Sequence, residues 1–508
     1  MSPWLILLVI LAYVSLLMLV SFFTGRSTDN ATFFRANRSA PWPVVAFGMI
    51  GASISGVTFI SVPGKVGPDH WSYFQMVLGY LLGYLVIGAV LMPLYYRNNL
   101  TSIYTWLERR FGPSSYRTGA VFFLISRLMG SSLRLYLVAI VLQITLFDPL
   151  GIPLIVNVLF SLGLIYLYTF RGGIKTVIWT DTLQTAAFLI AGGVVVYLAA
   201  GRLGLSGAGL AGEVLGSPFS QVFHGDWRAG SHFLKQFIGG AFIAIAMTGL
   251  DQDMMQKNLA CRSLGDAQKN MFLFSVTLVF VNLLFLSIGT LLYMYGQEAG
   301  LVEWVGQKGC ALRIADPLSG ELRCYSRTDD LFPILAMNYL GPVAGLAFII
   351  GIIAAAYSSM DSTLTALTTS FCVDLLGFEK QGESVGQLGT RRRVHLGFTA
   401  ASALIVLIFS WLNNRAVIDV IFDVATYTYG PLLGLFFYGI LTRRQVQDRW
   451  VPLVCVLAPL LTFGTQYASQ AWLGYTFSFE KLPLNGLLTM AGLRLLDAGR
   501  MQAQALRP

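Results

Sequence analysis

Apolar runs of about 20 residues recur along the whole of the 508-residue chain. Coiled as a helix rising about 1.5 Å per residue, each run can cross a hydrocarbon core about 30 Å thick. Lipid offers no water to satisfy backbone amides, so crossings must be closed helices or barrel strands, and unbroken runs of this length select helices. About thirteen spans are expected, near 3–24, 41–62, 72–96, 117–146, 152–169, 174–201, 233–254, 268–297, 343–373, 392–412, 418–442, 450–468 and 483–498, the last being short. The composition agrees, because 12% of the residues are charged where a soluble chain carries about a quarter. The first run begins MSPWLILL. It lacks a basic leader and outruns the apolar core of a signal peptide, so it reads as a retained helix. The expected fold class is an all-α integral membrane protein, with residues 1–508 forming a single transmembrane domain.

Cytoplasmic loops collect lysine and arginine. Most of the 34 here, including Arg26, Arg35, Arg38, Arg109, Arg110, Arg391–Arg393, Arg443 and Arg444, fall on inward-facing segments if the N-terminus lies outside and the C-terminus in the cytoplasm. The net charge of +9 is spread over loop ends rather than gathered into one patch, which argues against nucleic acid as a partner. Nothing in the sequence calls for an obligate protein partner. Five cysteines are too few for a disulfide scaffold. Cys310 and Cys324 share the polar 298–330 loop on the outer side, where a bridge between them is permitted, and two free thiols are the alternative. The longest polar stretches, 202–232, 298–330 and 374–391, read as loops, with room for a short surface helix.

Two spans look interrupted. In PWPVVAFGMIGASISGVTFISVPGKVG, residues 41–67, Gly48, Gly51, Ser53, Ser55 and Gly56 crowd the middle. In FIGGAFIAIAMTGLDQDMM, residues 237–255, Gly239, Gly240 and Gly249 lead directly to Asp251 and Asp253. They stand five spans apart, and that odd spacing inverts one relative to the other, as two oppositely oriented repeats require. Close packing through small residues is the plain alternative.

An ionisable group at mid-bilayer is costly unless paired or hydrated, so each one marks a candidate site. In AAAYSSMDSTLTAL, residues 354–367, Ser358, Asp361 and Ser362 share one helix face, and Ser359 follows Ala355 by one turn. Such a set of hard oxygens suits a monovalent cation such as sodium; hydroxyls bonding back to the preceding turn would account for the serines but not for the aspartate. Asp181, in GGIKTVIWTDTLQ, lies at a similar depth. The two acids could share a cation or a proton, or each could pair with an arginine. Arg127 and Arg134, seven apart in VFFLISRLMGSSLRLYLVAIVLQ, are basic residues set well inside an expected span. Either they neutralise Asp181 or Asp361, which suits Arg127, or they form an anion site for a substrate, which suits Arg134.

Taken together, GGIKTVIWTDTLQ, LDQDMMQKNLACRSLGDAQKN and GLAFIIGIIAAAYSSMDSTLTAL with the following CVDLL resemble the sodium:solute symporter family over residues 3–445. The resemblance implies a LeuT-like fold, that of the sodium-coupled leucine transporter: a five-plus-five inverted repeat, here with residues 41–201 and 233–442 as the repeats, 3–24 as an extra N-terminal helix and 450–498 as two extra C-terminal helices. It also implies sodium-coupled symport by alternating access in the plasma or inner membrane. Carried over by motif, one sodium would rest on the backbone carbonyls of Gly51, Ile54 and Ala355 and the hydroxyls of Ser358 and Ser359. A second sodium or a proton would use Asp181, Ser358, Asp361 and Ser362, although Asp361 stands where members commonly have a small residue. Ser53, Ser55, Tyr73 and Gln75 match substrate-facing positions. Arg134 matches the arginine that holds a carboxylate in the bacterial sialic-acid carriers, so an acidic solute is expected, with a neutral sugar or amino acid as the alternative.

Rival classes are a channel, which needs a continuous polar pore, and a membrane-embedded enzyme. No HExxH is present, and His70, His224, His232 and His395 fall at loops or span ends, where they read as interfacial or solvated. A sensor fused to a kinase is disfavoured by the lack of a soluble module before Pro508.

Overall fold

The computed structural model describes residues 2–24, 33–34, 36–170, 173–307, 309–317, 319–381, 385–412 and 417–500. Arg26 and Arg35, which entered the orientation argument, lie outside the described residues. The chain begins with α1 (Pro3–Thr24) and a bent pair, α2 (Trp42–Ser53) and α3 (Gly56–Asp69). Next come α4 (Ser72–Arg97), α5 (Pro113–Leu150), the shorter α6 (Leu154–Thr169) and α7 (Gly173–Arg202). A second bent pair follows, α8 (Phe233–Gly249) and α9 (Gln252–Leu259), then α10 (Leu264–Glu298). The remaining helices are α11 (Leu331–Asn338), α12 (Pro342–Leu375), α13 (Gly386–Leu412), α14 (Val417–Leu441), α15 (Asp448–Leu473) and α16 (Lys481–Leu495).

Among the described residues nine helices are long and apolar enough to cross a membrane, or eleven if each bent pair is one span. The expected count of thirteen is therefore not met by length and composition. α6 has 16 residues, and α16 has 15 with Lys481 and Arg494 near its ends.

Both bent pairs fall where the glycine and hydroxyl clusters predict interruptions, with angles of 56° and 63°. Each break restarts a helix with a side-chain cap: Ser55 accepts from the Val57 N–H, and Asp251 from the Met254 N–H. These caps supply acceptors to N–H donors that the interrupted ladder leaves unsatisfied. The most extensive helix pairing is between α7 and α12. α12 is also the most enclosed span, with 78% of its apolar window inside the protein, so its row of hydroxyls meets protein rather than lipid.

Two expectations are corrected outside the helices. The 298–330 segment is neither loop nor helix but a three-stranded antiparallel sheet of β1 (Val302–Gln307), β2 (Cys310–Ala315) and β3 (Leu322–Tyr325). Its alternating pattern turns Leu312 and Ile314 into the core, and a Cys310–Cys324 disulfide joins β2 to β3. A second small sheet pairs β4 (Arg444–Val446) with β5 (Asp497–Arg500). The all-α expectation holds for the spanning part, and two small sheets are added on the loops. The 202–232 stretch does carry a short helix, Gly207–Gly216.

α4 and α8 meet backbone to backbone. A Cβ on Gly79 would lie 2.0 Å from the Phe237 carbonyl oxygen, and one on Gly240 would lie 2.2 Å from that of Met76. Main chain cannot yield as a flexible side chain does. Gly79→Ala is expected to cost about 1–3 kcal/mol, read as a lower unfolding temperature of the purified protein, whereas Gly88→Ala, which meets nothing within 4 Å, should leave it unchanged.

Candidate functional site

The first break builds one half of the site. Backbone hydrogen bonds run from the Ile54 N–H to the Ile50 carbonyl and resume from the Phe59 N–H to the Ser55 carbonyl, which leaves the carbonyls between Gly51 and Ile54 outside the ladder. Ile54 and Ser55 are extended (φ −87°, ψ 96° and φ −92°, ψ 178°). A Cβ on Gly51 would come within 2.9 Å of the Ser358 hydroxyl and 2.4 Å of that of Thr185, while one on Gly56 would lie 3.9 Å from the Ala356 Cβ. The break therefore lies directly against the Ala355–Ser359 turn of α12. Thr185, whose buried hydroxyl has no hydrogen-bond partner among the described residues, joins this group although no sequence motif singled it out.

Asp181 of α7 faces the same turn. Its carboxylate accepts from the Ser358 hydroxyl at 2.6 Å, the Ser362 hydroxyl at 3.1 Å and the Lys257 ammonium at 2.6 Å. Asp361 points to a different set: the Tyr168 hydroxyl at 3.0 Å, the Thr180 hydroxyl at 3.5 Å and the Ser362 N–H at 2.5 Å. Both acids are fully buried. The cation beside them is Lys257, on the second half of the second broken helix, and this corrects the reading that arginine neutralises them. Lys257 belongs to α9, which starts only after the bend, and the residue itself lies past the expected span end at 254.

Arg127 instead binds Asp253 and stands 3.7 Å from Asp251, to which Tyr429 donates its hydroxyl. Arg134 has no carboxylate at ion-pair distance among the described residues. Its Nη1 donates to the Ser359 hydroxyl at 3.1 Å, and it borders a central cavity of about 80 Å³. Ser53, Ser55 and Tyr73 line that cavity with Asn282 and Thr248. Gln75 does not: its amide donates to the Ser72 and Ser231 carbonyls and accepts from the His224 N–H. It fastens the loop before α8, and the substrate-facing assignment made by register does not hold for it. His395, expected to be interfacial or solvated, is buried between the Thr169 and Thr368 hydroxyls.

Tyr73, Ile418 and Phe422 also border a second chamber of about 320 Å³. Across it, Lys65 of α3 pairs with Asp419 of α14 at 2.6 Å and with Asp69 at 3.2 Å. These three side chains and this ion pair stand between the central cavity and the protein's sheet-bearing face. Together the parts make a carrier's arrangement: two broken helices, a cluster of oxygen atoms beside one of them, and a small central cavity bordered by a larger vestibule.

The sequence profile of the sodium:solute symporter family matches residues 33–448, and the chain belongs to that family. It is similar to the sodium/sialic acid symporter NanT of Aliivibrio fischeri, at 26% identity over 85% of this chain and 82% of the relative. It is likewise similar to the sodium/glucose cotransporter of Vibrio parahaemolyticus, at 25% identity over 76% and 69%. A solved structure described as the substrate-bound outward-open state of a Na+-coupled sialic acid symporter superposes with a TM-score of 0.79 over 98% of this chain and 99% of that one, at 20% identity. The protein is a multi-pass membrane transporter that moves a small solute together with sodium.

Removing one partner of a buried pair strands the other charge, at a cost of about 3–5 kcal/mol. Lys257→Met should therefore lower the unfolding temperature, and adding Asp181→Asn in the same chain should recover most of the loss. Wild-type stability in Lys257→Met alone would show that the pair does not hold α7 to α9.

Proposed function

We propose that this symporter carries a small acidic solute, a sugar acid of the sialic-acid kind, with its carboxylate held by Arg134. The observation that carries this reading is the guanidinium on the central cavity with a hydroxyl partner but no carboxylate at ion-pair distance among the described residues. A buried cation lacking a counter-ion is costly, and a carboxylate supplied by the solute offsets that cost through a forked, charge-assisted contact. Tyr73, Ser53, Thr248 and Asn282 offer hydroxyl and amide groups suited to a polyhydroxylated body. A neutral sugar would leave the arginine uncompensated.

One sodium rests, in this proposal, on the Gly51, Ile54 and Ala355 carbonyls and the Ser358 and Ser359 hydroxyls, with Thr185 beside them. The ion bridges the broken helix and α12, steadies the outward-facing arrangement, and is released when the two separate. Asp361 and Ser362, with Asp181, form a second cation site, shifted toward Asp361 because Lys257 occupies one Asp181 oxygen. The N-terminus lies outside, which places the sheet, its disulfide and the vestibule on the extracellular side, in agreement with the basic loop ends on the other. The chain works without an obligate protein partner and is not an enzyme. The polar groups gather beside the small central cavity, which favours a carrier over a channel.

Uptake of radiolabelled N-acetylneuraminic acid into proteoliposomes is expected to follow an inward sodium gradient and to stop when potassium replaces sodium. Arg134→Met should weaken solute binding at least 30-fold, about 2 kcal/mol. The Ser358→Ala, Ser359→Ala double variant should abolish the sodium dependence. Gradient-driven uptake of a neutral sugar but no acid would overturn the solute assignment, and sodium-driven uptake equal to wild type in the double variant would overturn the ion site.

A further inference from the structure

A chamber of about 490 Å³ lies apart from the transport path, bounded by α1, α3, α5, α11 and the turn after the sheet, Thr328–Asp330. Its apolar wall includes Ile6, Ile60, Ile140 and Ile144. Ile144 is 60% exposed on a spanning helix, so this wall is continuous with the surface that faces lipid. Its polar wall holds Arg327, Asp329 and Asp330.

The polar wall is short of one positive charge. Arg327 binds Asp330 at 3.0 Å and contacts the Tyr136 hydroxyl at 3.3 Å. Asp329 has no cation of its own at ion-pair distance among the described residues. It is 3% exposed, and one of its oxygens accepts from the Val417 N–H at 3.1 Å. The other oxygen makes no hydrogen bond of ordinary geometry there, with the Ser61 hydroxyl as its polar neighbour. Burial pushes the Asp329 carboxyl up to about 6, and an arriving ammonium would offset that desolvation and favour the charged form.

We infer that this chamber binds a phosphatidylethanolamine molecule from the surrounding bilayer, with its ammonium on Asp329, its phosphate on Arg327, and an acyl chain along Ile140 and Ile144. A primary ammonium can donate hydrogen bonds to the Asp329 carboxylate in the chamber wall; the trimethylated head of phosphatidylcholine cannot. The site is joined to the gate. A Cβ on Gly64 of α3 would lie 2.4 Å from the Thr328 carbonyl oxygen, and Asp329 caps the start of α14 through Val417. These two helices carry Lys65 and Asp419, the pair that spans the vestibule. A lipid that steadies the turn therefore steadies the paired arrangement of α3 and α14.

The test compares the full-length protein in detergent supplemented with phosphatidylethanolamine or with phosphatidylcholine of identical acyl chains, read by unfolding temperature. The ethanolamine lipid should raise it by about 3 °C or more over the choline lipid, through preferential binding to the folded state. Asp329→Asn should erase the difference. Because Asp329 also caps α14, Ile140→Trp, which fills the apolar wall and leaves the turn intact, serves as the second variant and should erase it as well. Equal shifts for the two lipids in the wild type, or a difference that survives in either variant, would overturn the assignment. Neither readout depends on which solute is carried, so the solute assignment stands or falls separately.

Discussion

Two carboxylates buried in the middle of a membrane protein have to be held by something, and here a single lysine and a fan of hydroxyls do it. Asp181 gathers Ser358 and Ser362 of α12 and Lys257 of α9 onto α7. Hydrating neither charge and pairing neither would cost several kcal/mol per ion, so this junction fixes where three helices stand relative to each other. Two of them, α7 and α12, form the most extensive helix pairing in the protein, and α9 is the far half of a broken helix. The second charge cluster, Arg127 with Asp251 and Asp253, anchors the start of α9 to α5. The half of the broken helix beyond the bend is therefore tied to two different walls.

The same turn of α12 serves several partners at once. Ser358 donates to Asp181, and Ser359 accepts from Arg134, while the open carbonyls of the first break lie alongside. In the proposed cycle an ion at the break, a carboxylate on Arg134 and the Lys257 pair all act on neighbouring atoms of one rigid helix. Linkage then requires that sodium and solute each raise the other's affinity by the same factor. On the other side, α3 carries the consequence outward, because Lys65 sits less than three turns beyond the break and meets Asp419 of α14 across the vestibule. Opening that path separates an ion pair that is partly exposed, a modest barrier of about 1 kcal/mol or less, which suits a gate that must cycle.

Much of this was legible in the residue order. Apolar runs placed the helices, and the Gly51–Gly56 and Gly249–Asp251 clusters marked both breaks, since small and capping residues are what an interrupted helix needs. Asp181, Ser358, Ser362 and Arg134 stood out as polar atoms with no reason to enter lipid. Lys257 was hidden because the chain after Asp251 reads as the end of a span, whereas the bend redirects it as a buried helix; an inventory of buried charges without partners would have called for such a cation. The partners of Arg127 were missed for the same reason. Gln75 resembled a substrate ligand by register, but its amide is consumed by the Ser72 and Ser231 carbonyls. The small sheet escaped notice because short strands within a polar loop carry too weak an alternation to stand against the apolar runs around them.

The central claim is that sodium joins the first break to the serine turn of α12 and so governs how the outer ends of α3 and α12 stand. The most direct measurement is a pulsed electron-resonance distance between spin labels at His70, the cap of α3, and Val343, at the start of α12, in sodium and in potassium. The account predicts a single narrow distance in sodium and a broadened or displaced distribution in potassium. Identical distributions in the two salts, in protein that still carries solute, would contradict it.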